Sequence, residues 1–380
     1  MLNSGWSGSG PDGGGGEPFV SGGPLLRELE AARGPLDAFR RAGGYALAER
    51  IAAAGAPDGF LLELNRAGVR GRAGGGYPTA HKWWLVARKE GGEKYFVCNA
   101  NARPGDPKVP YLLARSPHAV LEAVAVGALL SGAAVAYLAL PAGRTDLFEG
   151  LRSALDEAGR AGLLGPGLFG GTRGVEVRLF EIPDVYIAGE ETALLEAIEG
   201  RRASPRVKPP LPTGRGLFGA PTVVSSLETV LQAWLALRVG AEAYRAHGTE
   251  TSPGTMVFSL QGDVERPGLY ELPLGTPLRA LVFEHGGGTG GRALKLVFPG
   301  GLSSPPVGPG EMELPLDYDA ARDAGTDLGS GAVLALAGEV DATELAVELA
   351  AFFHDGSCGK CRPCKEGTQR ALAMLERLDR

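Results

Sequence analysis

The residues best suited to chemistry in this 380-residue chain are three cysteines packed as Cys358-x-x-Cys361-x-x-Cys364. Thiolates at this spacing wrap one corner of an iron–sulfur cubane and also suit zinc, and either metal wants a fourth ligand. The remaining cysteine, Cys98, lies in an apolar, strand-like run and reads as a small buried hydrophobe. Few cysteines, most of them clustered, point to metal in a reducing compartment rather than to disulfides.

Three further motifs carry groups suited to anions and cofactors. Residues 69–83 read VRGRAGGGYPTAHKW. Glycines there let backbone N–H groups approach an anion, and the helix start behind them adds a positive dipole end. Lys82 has the reach for a phosphate or a flavin edge; a plain turn is the competing reading. Residues 184–202 place adjacent carboxylates, Glu190 and Glu191, before an apolar helix. Such acids either favour the helix dipole or contact a cofactor or ribose. Residues 206–212 read RVKPPLP, a proline-stiffened loop that offers the charge of Lys208. Ser225 and Ser226 stand just before another helix, where hydroxyls cap the helix or bind phosphate.

The elements that position these motifs follow from periodicity. Helical patterns cover 35–41, 46–54, 57–67, 78–88, 147–161, 192–200 and 226–239. Strand patterns cover 95–98, 135–140 and 175–182, with a long loop expected over 99–110. Strands alternating with helices predict an α/β layer fold over 25–250. The composition shifts near 248–253, and 251–338 is predicted to be a small β-rich domain with a short helix at 278–284. Helices at 343–354 and 367–378 flank the cysteines in a segment spanning 339–380. Residues 1–24 lack a basic start and an apolar stretch, so they read as a flexible glycine-rich tail and not as a secretory signal. Residues 123–140 carry no charge and are long enough to span a bilayer, but Ser131-Gly132 interrupts them. They read as a buried helix ending near 130, followed by a buried parallel strand at 135–140, without a membrane span. The net charge of −6 and the lack of a dense basic block argue against a nucleic-acid partner. The expected location is cytoplasmic, free or peripheral on a membrane complex.

In this order, the four motifs resemble the NADH-binding, FMN-containing subunit of complex I and its relatives in NAD-linked hydrogenases and formate dehydrogenases. The resemblance covers about residues 35–380. It is most specific at Tyr186–Arg202 with Lys208-Pro-Pro, and at 357–364. It implies a Rossmann-like FMN domain, a soluble-ligand-binding β-grasp domain from about Met256, and a helical segment holding a four-iron cluster. Carried over by position, FMN lies on Gly71, Arg72, Gly74, Lys82, Asn99, Asn101, Tyr186, Gly189 and Glu190, with its phosphate near Ser225 and Ser226. The nicotinamide nucleotide lies near Tyr77, Glu191 and Lys208, and the cluster on Cys358, Cys361 and Cys364. The implied enzyme is an oxidoreductase that passes hydride from NAD(P)H to FMN, then single electrons through the cluster to a partner. No catalytic acid or base is implied. The implied partner is a ferredoxin-like or thioredoxin-like iron–sulfur subunit in a hetero-oligomer.

Departures from the family pattern sharpen these expectations. The family loop G-R-G-G-A-G-F-P-T-G-x-K-W has Ala73 here in place of a glycine. Leu85 and Leu211 stand where aromatic rings are expected, and each lost stack removes about 0.5–1.5 kcal/mol beyond area burial. The family's C-N-A-D-E-S-E-P-G becomes CNANARPG at 98–105, so three acids are gone and Arg103 is new. That change predicts acceptance of NADPH, with Arg103 facing its extra phosphate. An Asn-Asn pair becomes Ser225-Ser226. The family's fourth cluster cysteine has no counterpart in the chain, so the expected alternatives are His354, a ligand from a partner, a three-iron form, or no cluster. Two other readings stand beside the enzyme: a structural or assembly paralogue with degraded flavin and nucleotide pockets, and a zinc-binding interaction module.

Overall fold

The computed structural model describes residues 18–55, 57–102, 105–165 and 174–378. Among them, two sheets are built from strands β1 (Phe19–Ser21), β2 (Tyr95–Asn99), β3 (Val135–Pro141), β4 (Glu176–Ile182), β5 (Thr222–Ser226), β6 (Thr255–Gly262), β7 (Gly268–Pro273), β8 (Leu294–Phe298) and β9 (Ala332–Ala337).

The first sheet runs β4-β3-β2-β5, with every pairing parallel. Its central strands are near-continuous apolar runs because helices cover both faces. The helix Pro117–Ser131 is buried almost throughout, so it is a core helix. Pro117 opens it, the Ser116 hydroxyl accepts from the Ala119 N–H, and Gly132 ends it at φ 74°. A Cβ at Gly127 would lie 2.3 Å from the Phe96 ring, so glycine lets this helix seat on β2. No single helix among the described residues is long and apolar enough to cross a membrane. From β2 the chain moves one way to β3 and β4, then returns to place β5 on the other side of β2. In open α/β sheets such a reversal leaves a crevice at the carboxyl ends of the two strands. Asn99 and Ser226 are register partners at those ends.

The second sheet runs β1-β7-β6-β9-β8 and is mixed. Hairpin β6–β7 is antiparallel, β9 joins β6 in parallel, and β8 returns antiparallel to β9. A helical turn at Ala280–His285 matches the short helix expected at 278–284.

Two expectations are corrected here. The tail reading of 1–24 fails at its end: Phe19–Ser21 forms edge strand β1, parallel to β7, and Phe19 packs on Tyr270 at 5.5 Å. Glu271 on β7 then accepts the Leu25 and Leu26 N–H groups at 2.9 and 2.7 Å, fixing the start of the helix Pro24–Ala31. Residues 1–17 lie outside the described residues. The loop expected over 99–110 is cut short by the helix Lys108–Arg115, which buries Leu112 and Leu113.

Candidate functional site

At the crevice, Asn99 holds two loops together. Its side-chain amide donates to the Gly189 carbonyl at 3.0 Å, and its side-chain oxygen accepts from the Asn101 N–H at 3.0 Å. The loop after β4 is thereby drawn over the end of β2. A Cβ at Gly189 would meet Asn101 Nδ2 at 2.6 Å, so any other residue would displace the Asn101 side chain. At the end of β5, Ser225 is buried and its hydroxyl accepts from Trp83 Nε1 at 3.1 Å. Ser226 faces Thr229 at 2.7 Å, and Thr229 Oγ1 accepts the Arg72 N–H at 2.8 Å.

The glycine-rich loop is closed at its base. Gly71 N–H donates to the Tyr77 carbonyl at 2.9 Å, Thr79 N–H to the Val69 carbonyl at 2.9 Å, and Arg70 Nε to the Gly76 carbonyl at 2.7 Å. Its rim is open. A Cβ added at Gly74 or Gly75 meets nothing within 4 Å, and neither residue has a positive φ. The chain's own packing and backbone therefore do not demand glycine there, and the rim leaves room for a ligand laid against it. On this ground the loop fits a bound flavin nucleotide.

Above the loop, four charged groups form one network. Lys82 Nζ lies 3.0 Å from Glu191, and Lys208 Nζ lies 3.1 Å from Glu191 and 2.8 Å from Glu190. Glu190 also accepts the Thr192 and Ala193 N–H groups at 2.9 Å, so it caps the helix Glu191–Ile198 while it binds Lys208. Burial alone would raise both carboxyls. For Glu190 the hydrogen bonds from Lys208, Thr192 and Ala193 outweigh it, and for Glu191 the charge of Lys82 with the hydrogen bonds from Lys82 and Lys208, so both sit below the ordinary value. Burial would lower Lys208, but the two carboxylates raise it. The result is two fixed cations and two fixed anions beside an open rim.

The Arg72 side chain does not face the crevice; it is 1% exposed and spans the junction of the two domains. Its guanidinium donates to the carbonyls of Thr255, Arg70 and Pro253 and to the Tyr244 hydroxyl, at 2.9 to 3.1 Å. A buried guanidinium needs that many acceptors. At the same junction Lys108 and Glu228, both almost fully buried, pair at 3.0 Å. Lys108 also donates to the Val257 and Ser330 carbonyls, and Glu228 accepts the Val257 N–H at 2.7 Å. Sequence reasoning missed Lys108, Glu228, Thr229 and Tyr318, whose partners are distant in the chain.

Tyr77 is exposed, stacks on His81 at 5.8 Å, and His81 stacks on Trp84 at 6.2 Å. Leu211 is exposed and Leu85 half-buried. Arg103 lies outside the described residues.

Tyr186 joins the crevice to the cysteine segment, packing edge-on against Phe352 at 5.1 Å and Phe353 at 6.2 Å. Lys360, inside the cysteine motif, donates to the Pro205 carbonyl at 2.7 Å. The helix Ala342–Asp355 precedes the motif and the helix Arg362–Leu378 contains Cys364; of their residues only Leu345 is buried, against Phe298 and Leu334 of the second sheet. Cys358 is half-buried; Cys361 and Cys364 are exposed, and Ser357 Oγ lies 3.4 Å from Cys364 Sγ. Three soft thiols are the right donors for an iron–sulfur cluster or zinc. Among the described residues, however, no group of three or more His, Cys, Asp or Glu side chains converges to hold a metal ion. The donor chemistry fits a cluster, while the gathering of the thiols is left to the metal. His354 contacts Thr368 at 3.3 Å. Cys98 is fully buried and burial pushes its thiol up, so it stays a neutral hydrophobe.

Comparison with known proteins gives three family matches: the Nuo51 FMN-binding domain over residues 64–234, the SLBB domain over 257–304, and the NADH-ubiquinone oxidoreductase-F iron-sulfur binding region over 344–380. The chain is 38% identical to the second F-type subunit of NADH-quinone oxidoreductase from Rhizobium meliloti (strain 1021), across 93% of this chain and 85% of that protein. It is 36% identical to the F-type subunit of NADH-quinone oxidoreductase from Aquifex aeolicus (strain VF5), across 90% of this chain and 79% of that protein. Among solved structures it is similar to a chain of the NAD+-reducing NiFe-hydrogenase in the H2-reduced state, with a TM-score of 0.82 and 31% identity. That match covers 95% of this chain and 59% of the hydrogenase chain.

Proposed function

From the premise that the chain belongs to the family of F-type subunits of NADH-quinone oxidoreductase, we propose that it is the electron-input subunit of a multi-subunit NADH dehydrogenase, and that its crevice holds FMN and receives NADH. The observation that carries the placement is the open glycine rim beside the Lys82–Glu191–Lys208–Glu190 network, at the switch point between β2 and β5. When bound, FMN supplies the redox chemistry, accepting hydride from the nicotinamide and releasing electrons singly.

The protein's own contribution is positioning. The rim of Gly74 and Gly75 admits the flavin nucleotide against backbone. Ser226 and the start of its helix offer donors for a phosphate. Lys82 is held by Glu191 so that its charge stays at the crevice mouth. Lys208 and Glu191, part-exposed at 37% and 26%, are the groups that meet the nucleotide. Glu190 is tied into a helix cap. Tyr77, His81 and Trp84 offer exposed ring faces for an aromatic base.

Cys358, Cys361 and Cys364 would supply three thiolates to the iron–sulfur cluster that takes electrons onward. We further propose an iron–sulfur partner, ferredoxin-like or thioredoxin-like, on the sparsely buried cysteine segment. Arg103, with Asn101 and Ala102 in place of acids, supports acceptance of NADPH beside NADH; titrating the purified complex with each nucleotide tests it, and NADPH binding no tighter than NADH defeats it.

The test of the whole reading is direct. The complex, purified anaerobically with its neighbours, is expected to release FMN on denaturation and to lose its flavin absorption on adding NADH. A complex that quenches no flavin fluorescence after reconstitution with FMN would overturn the reading in favour of a structural paralogue.

A further inference from the structure

The glycine-rich loop is not supported by its own domain alone. Tyr318, at the start of the helix Tyr318–Asp323 in the second domain, donates its hydroxyl to the Gly71 carbonyl at 2.6 Å. Its ring lies under the far end of the loop: a Cβ at Gly76, where φ is +67°, would fall 2.6 Å from the ring. Arg70 lies over the same ring at 4.9 Å and Arg72 at 5.9 Å, and Arg70 also pairs with the neighbouring Asp319 at 2.9 Å. The carbonyl of Gly71, the side chains of Arg70 and Arg72, and the Gly76 backbone thus converge on one side chain far along the sequence, leaving only the loop tip from Ala73 to Gly75 free of it.

We propose that Tyr318 is a positioning residue for flavin binding, a clamp by which the β-grasp domain sets the glycine-rich rim of the FMN site. The proposal rests on the flavin reading above. Two physical reasons favour a positioning role over simple packing. The hydroxyl bond is made to a loop carbonyl, so it fixes the peptide plane that precedes the open rim. Burial also keeps the phenol protonated and therefore a donor. A loop rich in glycine loses much conformational freedom when it binds a ligand, and a clamp that restricts it beforehand lowers that cost.

The experiment compares the wild-type complex with Tyr318→Phe and Tyr318→Leu, each stripped of flavin and titrated with FMN by fluorescence quenching, with urea unfolding and KM for NADH measured alongside. Tyr318→Phe keeps the ring and loses one hydrogen bond, so its unfolding midpoint should fall only slightly, while the dissociation constant for FMN measured in the fully folded protein rises about fivefold. Its KM for NADH in the FMN-saturated complex should not change. Tyr318→Leu should weaken FMN further and lower the midpoint as well. Unchanged FMN affinity in Tyr318→Phe, or a loss of affinity only in step with unfolding, overturns the clamp and leaves the flavin reading intact. A wild-type complex that binds no FMN overturns the flavin reading and the clamp with it.

Discussion

The crevice proposed to hold the flavin and the cysteine segment are built on opposite plans. At the crevice, each functional charge already has a partner: Glu190 caps a helix and binds Lys208, Glu191 bridges Lys208 and Lys82, and Asn99 ties two loops. Behind it, buried ions lock two domains together. At the cysteine segment, only one residue of the two helices is buried, Met374 and Leu378 are 60% and 74% exposed, and the thiols do not converge. The first site is organised before its ligand arrives; the second is organised by its ligand and by what covers it. A hydride donor needs precise placement, which the crevice supplies through its own contacts. A cluster gathers its thiolates as it binds, so metal binding itself does the ordering.

Four predictions can break or sharpen that contrast. The largest concerns the domain junction. Glu228→Ala leaves Lys108 charged, buried and unpaired, and should cost about 3–5 kcal/mol in urea unfolding; a cost below about 1 kcal/mol would mean that the junction is not the frame of the crevice. Next, Glu190→Ala removes the helix cap and an anchor of Lys208, with an expected loss of about 1 kcal/mol together with weaker NADH binding. Lys208→Met is smaller on stability at neutral pH, below about 1 kcal/mol, because the pair is part-exposed. Its signature lies in pH. Glu190 and Glu191 are depressed in the folded state, so their stabilisation is complete above the ordinary value of 4.5 and is lost as pH falls through their lower folded values. The variant should therefore lose less stability than wild type on acidification below 4.5. Smallest is Cys361→Ser, an exposed position expected to shift stability by no more than about 0.5 kcal/mol in the metal-free chain, while the purified complex loses iron. A large stability loss without metal would place the cysteine segment in the preorganised class.

The sequence revealed what depends on local pattern. Alternating strands and helices, the buried parallel strand after Ser131-Gly132, the glycine loop and the acid pair before a helix were all legible from periodicity and residue type. What depends on distant partners was not. Phe19–Ser21 is a strand only because β7 lies beside it, so a glycine-rich run read as tail. Arg72 is carried over as part of the FMN site, and nothing local shows that its side chain is enclosed by Thr255, Pro253 and Tyr244. Lys108 stands in what read as loop, and its partner Glu228 lies 120 residues on. Tyr318, 247 residues from Gly71, carried no local signal.

The most direct test is an anaerobic NADH titration of the wild-type complex and its Cys361→Ser variant, following flavin absorption and the cluster's electron paramagnetic resonance together. A preorganised crevice feeding a separately assembled cluster predicts that the flavin bleaches in both proteins and that the cluster signal grows only in the wild type. Flavin that fails to bleach in the wild-type complex, or that bleaches there but not in Cys361→Ser, would contradict it.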